Sequence, residues 1–202
     1  MLNWAIDCFY YKEHQNMGAD IFSYVNEAVA CIPPGCDGLY ATPWLFGEQF
    51  PILDSAVRSV FFNISEGHTR AHFVAAVMEG VCFSLRWQAS LCEKDTGIKL
   101  ESVGANGGGT LSAVWMQMLA NILQVPVRVP EAAPHSGAVG AAFATAVGIG
   151  WYQYCDIEKF IHTEHIYIPD PTLKELYDNR YQTFTKIYDA VKDLYSTINR
   201  KD

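Results

Sequence analysis

Residues 100–129 read LESVGANGGGTLSAVWMQMLANILQVPVRV, and this stretch decides the fold class. Residues 100–105 predict a β-strand, residues 111–123 a helix and residues 125–129 a second strand, with three consecutive glycines at the first turn. An alternation of strands and helices is the pattern of a sheet covered by helices. We therefore expect an α/β protein in which helices flank a mixed sheet.

The residues on either side extend this pattern over the whole chain. A helix over 69–95 is apolar on several sides, with Thr69 as a plausible N-cap, and its Gly80 predicts the close approach of another backbone. A last helix begins at Pro171 after Asp170 as N-cap, and its apolar face over 171–199 is expected to dock on the rest of the domain. The further helices are predicted over 2–11, 19–32 and 137–148, with a polar break over 12–18, and the further strands over 39–45 and 57–64.

Composition and charge exclude several classes of partner. The chain has 202 residues, 14 basic and 22 acidic side chains and a net charge of −8, which argues against binding to nucleic acid. It contains neither an apolar run long enough to span a membrane nor a signal peptide, so we expect a cytoplasmic protein with no membrane partner. Only 18% of the residues are charged, against about 25% in an average domain, so part of the surface is expected to lie against something else.

Three glycines, Gly107, Gly108 and Gly109, are the strongest candidates for a binding site. They connect a strand to a helix, and the N–H groups and dipole at a helix N-terminus favour an anion such as a nucleotide phosphate. A tight turn without a ligand would also use glycine, so both interpretations stay open. A second glycine-containing helix start at 136–140 has the same two interpretations, with helix packing favoured.

Histidine and cysteine residues are the candidate metal ligands in this sequence. His68 and His72 are four residues apart at the start of a helix, but no third ligand is evident, so packing or capping is expected. His162 and His165 are expected in a loop. Six irregularly spaced cysteines, which lie at positions 8, 31, 36, 82, 92 and 155, are expected to be reduced thiols.

Residues 59–79 resemble the second signature of the FGGY carbohydrate kinases. The matching positions are Ser59, Phe61, Asn63, Ile64, His72, Phe73, Ala76, Val77, Met78 and Glu79, with Asn63 where the pattern has glycine. The resemblance extends through residues 2–4, 38–51, 106–109, 115–119 and 136–142, and so covers most of residues 1–150. Within this family, Leu2-Asn3-Trp4 and the Gly-Glu-x-x-Pro loop at 47–51 look most like xylulokinases.

This resemblance implies a ribonuclease-H-like domain of the actin and Hsp70 ATPase type. Residues 1–202 would be the C-terminal, nucleotide-side domain, truncated at its N-terminal end and lacking its first strands. By position, Gly107, Gly108 and Gly109 would lie along the phosphate and ribose of ATP. Ser112 would lie near the adenine, where some relatives have asparagine, and Asn3 would also contact the nucleotide.

The implied activity is the ATP-dependent phosphorylation of a sugar hydroxyl, most like that of a xylulose-type ketopentose, with Mg²⁺ as the metal. The catalytic aspartate and most sugar contacts would belong to the N-terminal domain, so no catalytic residue is expected here and the chain alone should be inactive. Two alternatives stay open, namely a non-catalytic sensor of sugar or nucleotide with an actin-like fold, and a structural interaction module. The tyrosine-rich last helix leaves room for a homodimer contact.

Overall fold

The computed structural model of the protein describes residues 1–199. The helices of this range are α1 (Leu2–Phe9), α2 (Tyr11–Met17), α3 (Ile21–Ala30), α4 (Arg70–Thr96), α5 (Ala113–Leu123), α6 (Ser136–Gly148) and α7 (Lys174–Asn199). The strands are β1 (Tyr40–Ala41), β2 (Phe61–Phe62), β3 (Val103–Gly104), β4 (Val127–Pro130) and β5 (Thr163–Tyr167). The predicted α/β class is confirmed, and within residues 1–199 no helix is long and apolar enough to span a membrane.

The main sheet has the order β3–β4–β5 and is mixed, as predicted. Strand β3 runs parallel to β4, with Val103 opposite Val127, and β4 runs antiparallel to β5, with Val127 opposite Tyr167. Strand β5 corrects the expectation of a loop around His165. Its side chains are mostly exposed, so it lacks the alternation of buried and exposed residues by which a strand is recognised in a sequence.

The strands predicted over 39–45 and 57–64 are much shorter than expected. Only two residue pairs form regular antiparallel ladder between β1 and β2. Beyond them the Val60 N–H donates to Oγ1 of Thr42 at 3.0 Å, and the Ser59 hydroxyl donates to the Thr42 carbonyl oxygen. One backbone bond also follows the ladder, from the Thr42 N–H to the Val60 carbonyl oxygen at 3.0 Å, and the Thr42 and Ser59 side chains supply the other contacts there in place of a longer ladder.

Helix α4 forms the centre of the structure and confirms two predictions. Thr69 caps its first turn together with His72, in a reciprocal capping box. At Gly80 a Cβ would lie 2.1 Å from the carbonyl oxygen of Ala41, so glycine is needed for β1 to cross the helix. The 27-residue helix ends at Gly97, which has a left-handed conformation.

The polar break predicted over residues 12–18 is wrong, because this segment forms α2. The interruption between α1 and α2 is confined to Tyr10, whose φ and ψ are −132° and 29°. None of the α2 side chains is buried, so the helix lacks the apolar stripe that would have revealed it. Instead, an ion pair joins Glu13 to Arg70, and Nδ1 of His14 lies 2.7 Å from Oδ1 of Asp7.

Helix α7 docks on the body of the protein, as expected. Asp170 accepts a hydrogen bond from the Thr172 N–H at 2.8 Å and caps a short 3₁₀ turn that leads into the helix. Phe184 is fully buried, with its ring 5.9 Å from Trp44 and 5.4 Å from Phe83. These contacts join α7 to the core around α4.

Candidate functional site

The glycine turn at 107–109 lies between β3 and α5, where the sequence predicts it. The Gly107 N–H donates to the Ala133 carbonyl oxygen at 2.8 Å, which ties the turn to the segment just before α6. Both the N–H and the hydroxyl of Thr110 donate to the Gly107 carbonyl oxygen, at 3.1 and 2.7 Å. The turn is therefore held from both sides before any ligand arrives.

The three glycines differ in whether the fold itself requires them. Gly107 has a φ of +91°, which favours glycine. At Gly109 a Cβ would press against the ring of Trp115 at 3.3 Å. Gly108 has neither constraint, since its φ is ordinary and a Cβ there would have no atom within 4 Å among the described residues. Packing does not explain glycine at 108, and its backbone stays open to an approaching group.

Ser112 is the N-cap of α5, and its hydroxyl makes one hydrogen bond as acceptor and one as donor. The oxygen accepts from the Trp115 N–H at 3.2 Å, and the hydroxyl donates to Oδ1 of Asn26 at 2.7 Å. The residue is 6% exposed. Sequence reasoning missed Asn26, since it lies on α3, far from the glycine turn along the chain, and no motif marks it.

Asn3 lies in the first turn of α1 and is exposed. Helix α1 packs on α4 through the buried Ala5 and Ile6. Within residues 1–199 no hydrogen bond connects Asn3 to the glycine turn. The structure therefore brings together Gly107, Gly108, Gly109 and Ser112, whereas the proximity of Asn3 to them stays a prediction.

A cavity of about 460 Å³ lies between α3, α4 and α5. Val29 and Ala30 of α3 line one wall, and Ala113 and Val114, directly after Ser112, line the other. The deeper wall includes three residues that form one buried cluster, namely Cys36, Glu79 and Tyr177. Burial, followed by the neighbouring Glu79 carboxylate, raises the pKa of both the Cys36 thiol and the Tyr177 hydroxyl well above their usual ranges.

The histidine pair at the start of α4 serves the fold. Nδ1 of His72 accepts from the Thr69 N–H at 3.1 Å, and Nε2 lies 3.0 Å from Asp37. Nδ1 of His68 accepts from the Ser65 N–H at 2.9 Å. These contacts confirm the capping role, and the described part of the chain contains no group of three or more possible metal-ligating side chains.

Helix α6, which follows the second glycine-containing segment, has an unusual surface. None of its 13 residues is buried, although most are apolar. A Cβ at Gly137 or Gly140 would meet no atom within 4 Å among the described residues. Helix packing at these glycines, the favoured interpretation, therefore has no partner within residues 1–199.

Comparison with known proteins now decides the family. The model of the C-terminal domain of the FGGY family of carbohydrate kinases matches residues 8–149. The chain belongs to the FGGY family. Xylulose kinases from Staphylococcus epidermidis and Bacillus subtilis are similar to it, with 32% identity over 96% of this chain and 33% over 88%. These matches span 38% and 36% of the two relatives, so the chain covers little more than a third of their length.

Solved structures of FGGY kinases show the same fold. The xylulose kinase from Rhodospirillum rubrum superposes with a TM-score of 0.78 and 29% identity, over 96% of this chain and 38% of that one. A ligand-bound xylulose kinase from Lactobacillus acidophilus gives a TM-score of 0.81 and 28% identity, over 98% and 39%. The ribonuclease-H-like fold expected from the resemblance is thereby confirmed.

The departure from the FGGY signature at Asn63 has a structural explanation. Its φ is +68°, in the left-handed region where glycine is favoured and where asparagine is the best tolerated of the other residues. Its Nδ2 also donates to the Gly38 carbonyl oxygen at 3.0 Å. Asn63 therefore adopts the left-handed conformation that glycine would adopt at this position of the signature.

Proposed function

We propose that this chain is the nucleotide-binding part of a carbohydrate kinase that transfers the terminal phosphoryl group of ATP to a sugar hydroxyl. Family membership supports the general activity. A xylulose-type ketopentose is the substrate that we propose, because two of the most similar relatives are xylulose kinases. Most contacts to the sugar, and the residue that removes its hydroxyl proton, would lie in a part of the kinase outside residues 1–202.

The observation that carries the nucleotide proposal is the open backbone at Gly108. The fold does not need glycine at this position, but a phosphate or ribose approaching the turn does, because a side chain would occupy the same space. The residues present therefore fit a nucleotide. The first N–H groups of the 3₁₀ turn that starts at Gly108 have no partner within the turn and can donate to phosphate oxygens.

In the complete kinase, this turn would bind and orient the phosphate chain from one side of a cleft. Anchoring of Gly107 to Ala133, together with the two hydrogen bonds from Thr110, preorganises the turn, so little ordering is needed when the nucleotide binds. Mg²⁺ would arrive on the ATP phosphates and neutralise charge during transfer. The chemical step itself would need the opposite wall of the cleft.

A substitution at Gly108 tests this proposal. Gly108→Ala should leave the thermal midpoint unchanged and weaken binding of Mg-ATP to the 202-residue chain, measured by NMR titration up to the order of 10 mM, the range of weak binding. Gly67→Ala is the matched control, since a Cβ there also meets no atom of residues 1–199 within 4 Å and its φ is ordinary. Equal ATP binding by the wild type and the Gly108→Ala variant would overturn the assignment of the turn. No response of the wild type to ATP would overturn nucleotide binding as such.

A further inference from the structure

A carboxamide from a neighbouring helix lies directly beside the glycine turn. Oδ1 of Asn26, on α3, accepts the Ser112 hydroxyl at 2.7 Å, although the two residues are 86 positions apart. The Ser112 oxygen in turn accepts from the Trp115 N–H. Because a hydroxyl carries a single hydrogen, Ser112 has no donor left for a ligand.

The same hydrogen bond orients the Asn26 side chain. A carboxamide has an acceptor oxygen and a donor NH₂ group on opposite sides. With Oδ1 directed at Ser112, Nδ2 lies on the far side, and within residues 1–199 it has no hydrogen-bond partner. Asn26 is only partly buried, so the residue itself is not closed off from solvent.

An exposed aromatic ring lies on the same face of α3. Phe22 is one turn before Asn26, at the spacing that places two side chains side by side on a helix, and it is 39% exposed. A free NH₂ donor next to an apolar ring suits a flat heteroaromatic group that carries ring-nitrogen acceptors. Purine bases have this chemistry, and they stack on aromatic side chains.

We propose that Asn26 recognises the base of the nucleotide, donating from Nδ2 to a purine ring nitrogen while Phe22 packs against the ring. Ser112 is then a positioning residue that fixes the orientation of the carboxamide. This inference rests on the proposed nucleotide function of the turn.

The NH₂ resonances of Asn26 report directly on such a contact. The ¹⁵N-labelled chain is titrated with Mg-ATP and with Mg-tripolyphosphate, which has the phosphates without the base, up to the order of 10 mM. The Asn26 signals, assigned by their loss in Asn26→Asp, should shift with ATP and not with tripolyphosphate. Asn26→Asp keeps the acceptor for Ser112 and loses the donor, so ATP affinity should fall about tenfold while the thermal midpoint stays unchanged.

Two further variants separate the base contact from charge and folding effects. Asn26→Ala adds no charge and should weaken ATP binding to a similar extent, although its thermal midpoint falls because Ser112 loses its acceptor. Glu27→Gln, an exposed neighbour on α3, should change neither quantity. If the wild type binds ATP and both Asn26 variants bind it equally well, the inference is overturned and the proposed function stands. No response to ATP anywhere in the wild-type chain overturns the proposed function and the inference together.

Discussion

Arg180 of α7 and Glu79 of α4 form a buried ion pair, with Nη2 and Oε2 2.9 Å apart and side chains only 7% and 2% exposed. The Glu79 carboxylate also accepts from the Gly35 N–H at 2.8 Å and from the Tyr177 hydroxyl at 3.2 Å. The Arg180 guanidinium lies 4.1 Å from the centre of the Tyr40 ring. One buried carboxylate thus joins α4, the loop after α3 and α7.

Removing one partner of this pair should strongly destabilise the protein. Arg180→Met leaves the Glu79 carboxylate buried without its counter-ion, and we expect the free energy of unfolding to fall by about 3–5 kcal/mol. Denaturation in urea measures the change. Lys192→Met, at the exposed Lys192–Asp189 pair, is the control and should cost at most about 1 kcal/mol. Equal stability of both variants would contradict a structural role for the buried pair.

Gly80 should not tolerate even a methyl group. Gly80→Ala places Cβ 2.1 Å from the Ala41 carbonyl oxygen, so the crossing of β1 over α4 must shift, at a cost of about 1–3 kcal/mol or more. Gly148→Ala is the control, because a Cβ there meets no atom within 4 Å in the part of the chain that the structure describes. Thermal unfolding of the two variants checks this expectation, and an unchanged midpoint for Gly80→Ala would contradict the close contact.

Stability should fall in alkali because of the cluster around Glu79. The folded state raises the pKa of the Cys36 thiol and of the Tyr177 hydroxyl through burial and then through the Glu79 charge. Above the ordinary pKa values, about 8.5 for cysteine and about 10 for tyrosine, the unfolded chain releases protons that the folded chain retains, so the unfolding free energy decreases as pH rises.

Urea denaturation at a series of pH values from neutral to alkaline measures this effect. Tyr177→Phe, which removes one of the two groups, should reduce the decline above pH about 10 relative to the wild type. Tyr11→Phe is the matched control, since Tyr11 is 61% exposed, and should leave the decline unchanged. Parallel pH profiles of the wild type and Tyr177→Phe would contradict the prediction.

The 202-residue chain by itself should not phosphorylate xylulose. Phosphoryl transfer depends on positioning between two walls of a cleft, and one wall alone supplies little of this effect. Formation of xylulose phosphate from Mg-ATP and xylulose, followed by mass spectrometry, should equal the rate without protein. Transfer above that background by pure protein would show that the chain contains its own catalytic residues.

The edge of the main sheet at β3 should promote association between chains. Within residues 1–199, β3 pairs only with β4, and both residues of β3 line an apolar cavity of about 300 Å³ together with Leu85. Unpaired strand edges bind further strands. Solution scattering over a concentration series should therefore show oligomers.

Charge at this edge should oppose the association. Leu85→Lys, at a residue 41% exposed beside β3, should shift the distribution towards monomer. Leu111→Lys is the control for added charge alone, because Leu111 lies in the 3₁₀ turn before α5 and is 74% exposed. A wild-type protein that stays monodisperse and monomeric at all concentrations would contradict association through the edge of β3.

Elements with a strong local pattern could be predicted from the sequence. The apolar α4 with Thr69 before it, the glycine turn and the last helix after Asp170 all lie where expected. The segments that were missed have weak local signals. Helix α2 buries nothing, and β5 is held by backbone bonds to β4 while most of its side chains are exposed.

The sequence by itself determined the order of most strands and helices, the family, and the position of the glycine turn, because each of these depends on residues that are neighbours along the chain. The tertiary structure decided the contacts between distant residues. It shows that packing does not explain glycine at position 108, that the Ser112 hydroxyl donates to Asn26, and that Glu79 forms an ion pair with Arg180. These contacts join residues 86 and 101 positions apart, and no local pattern records a distance that exists only after the chain has folded.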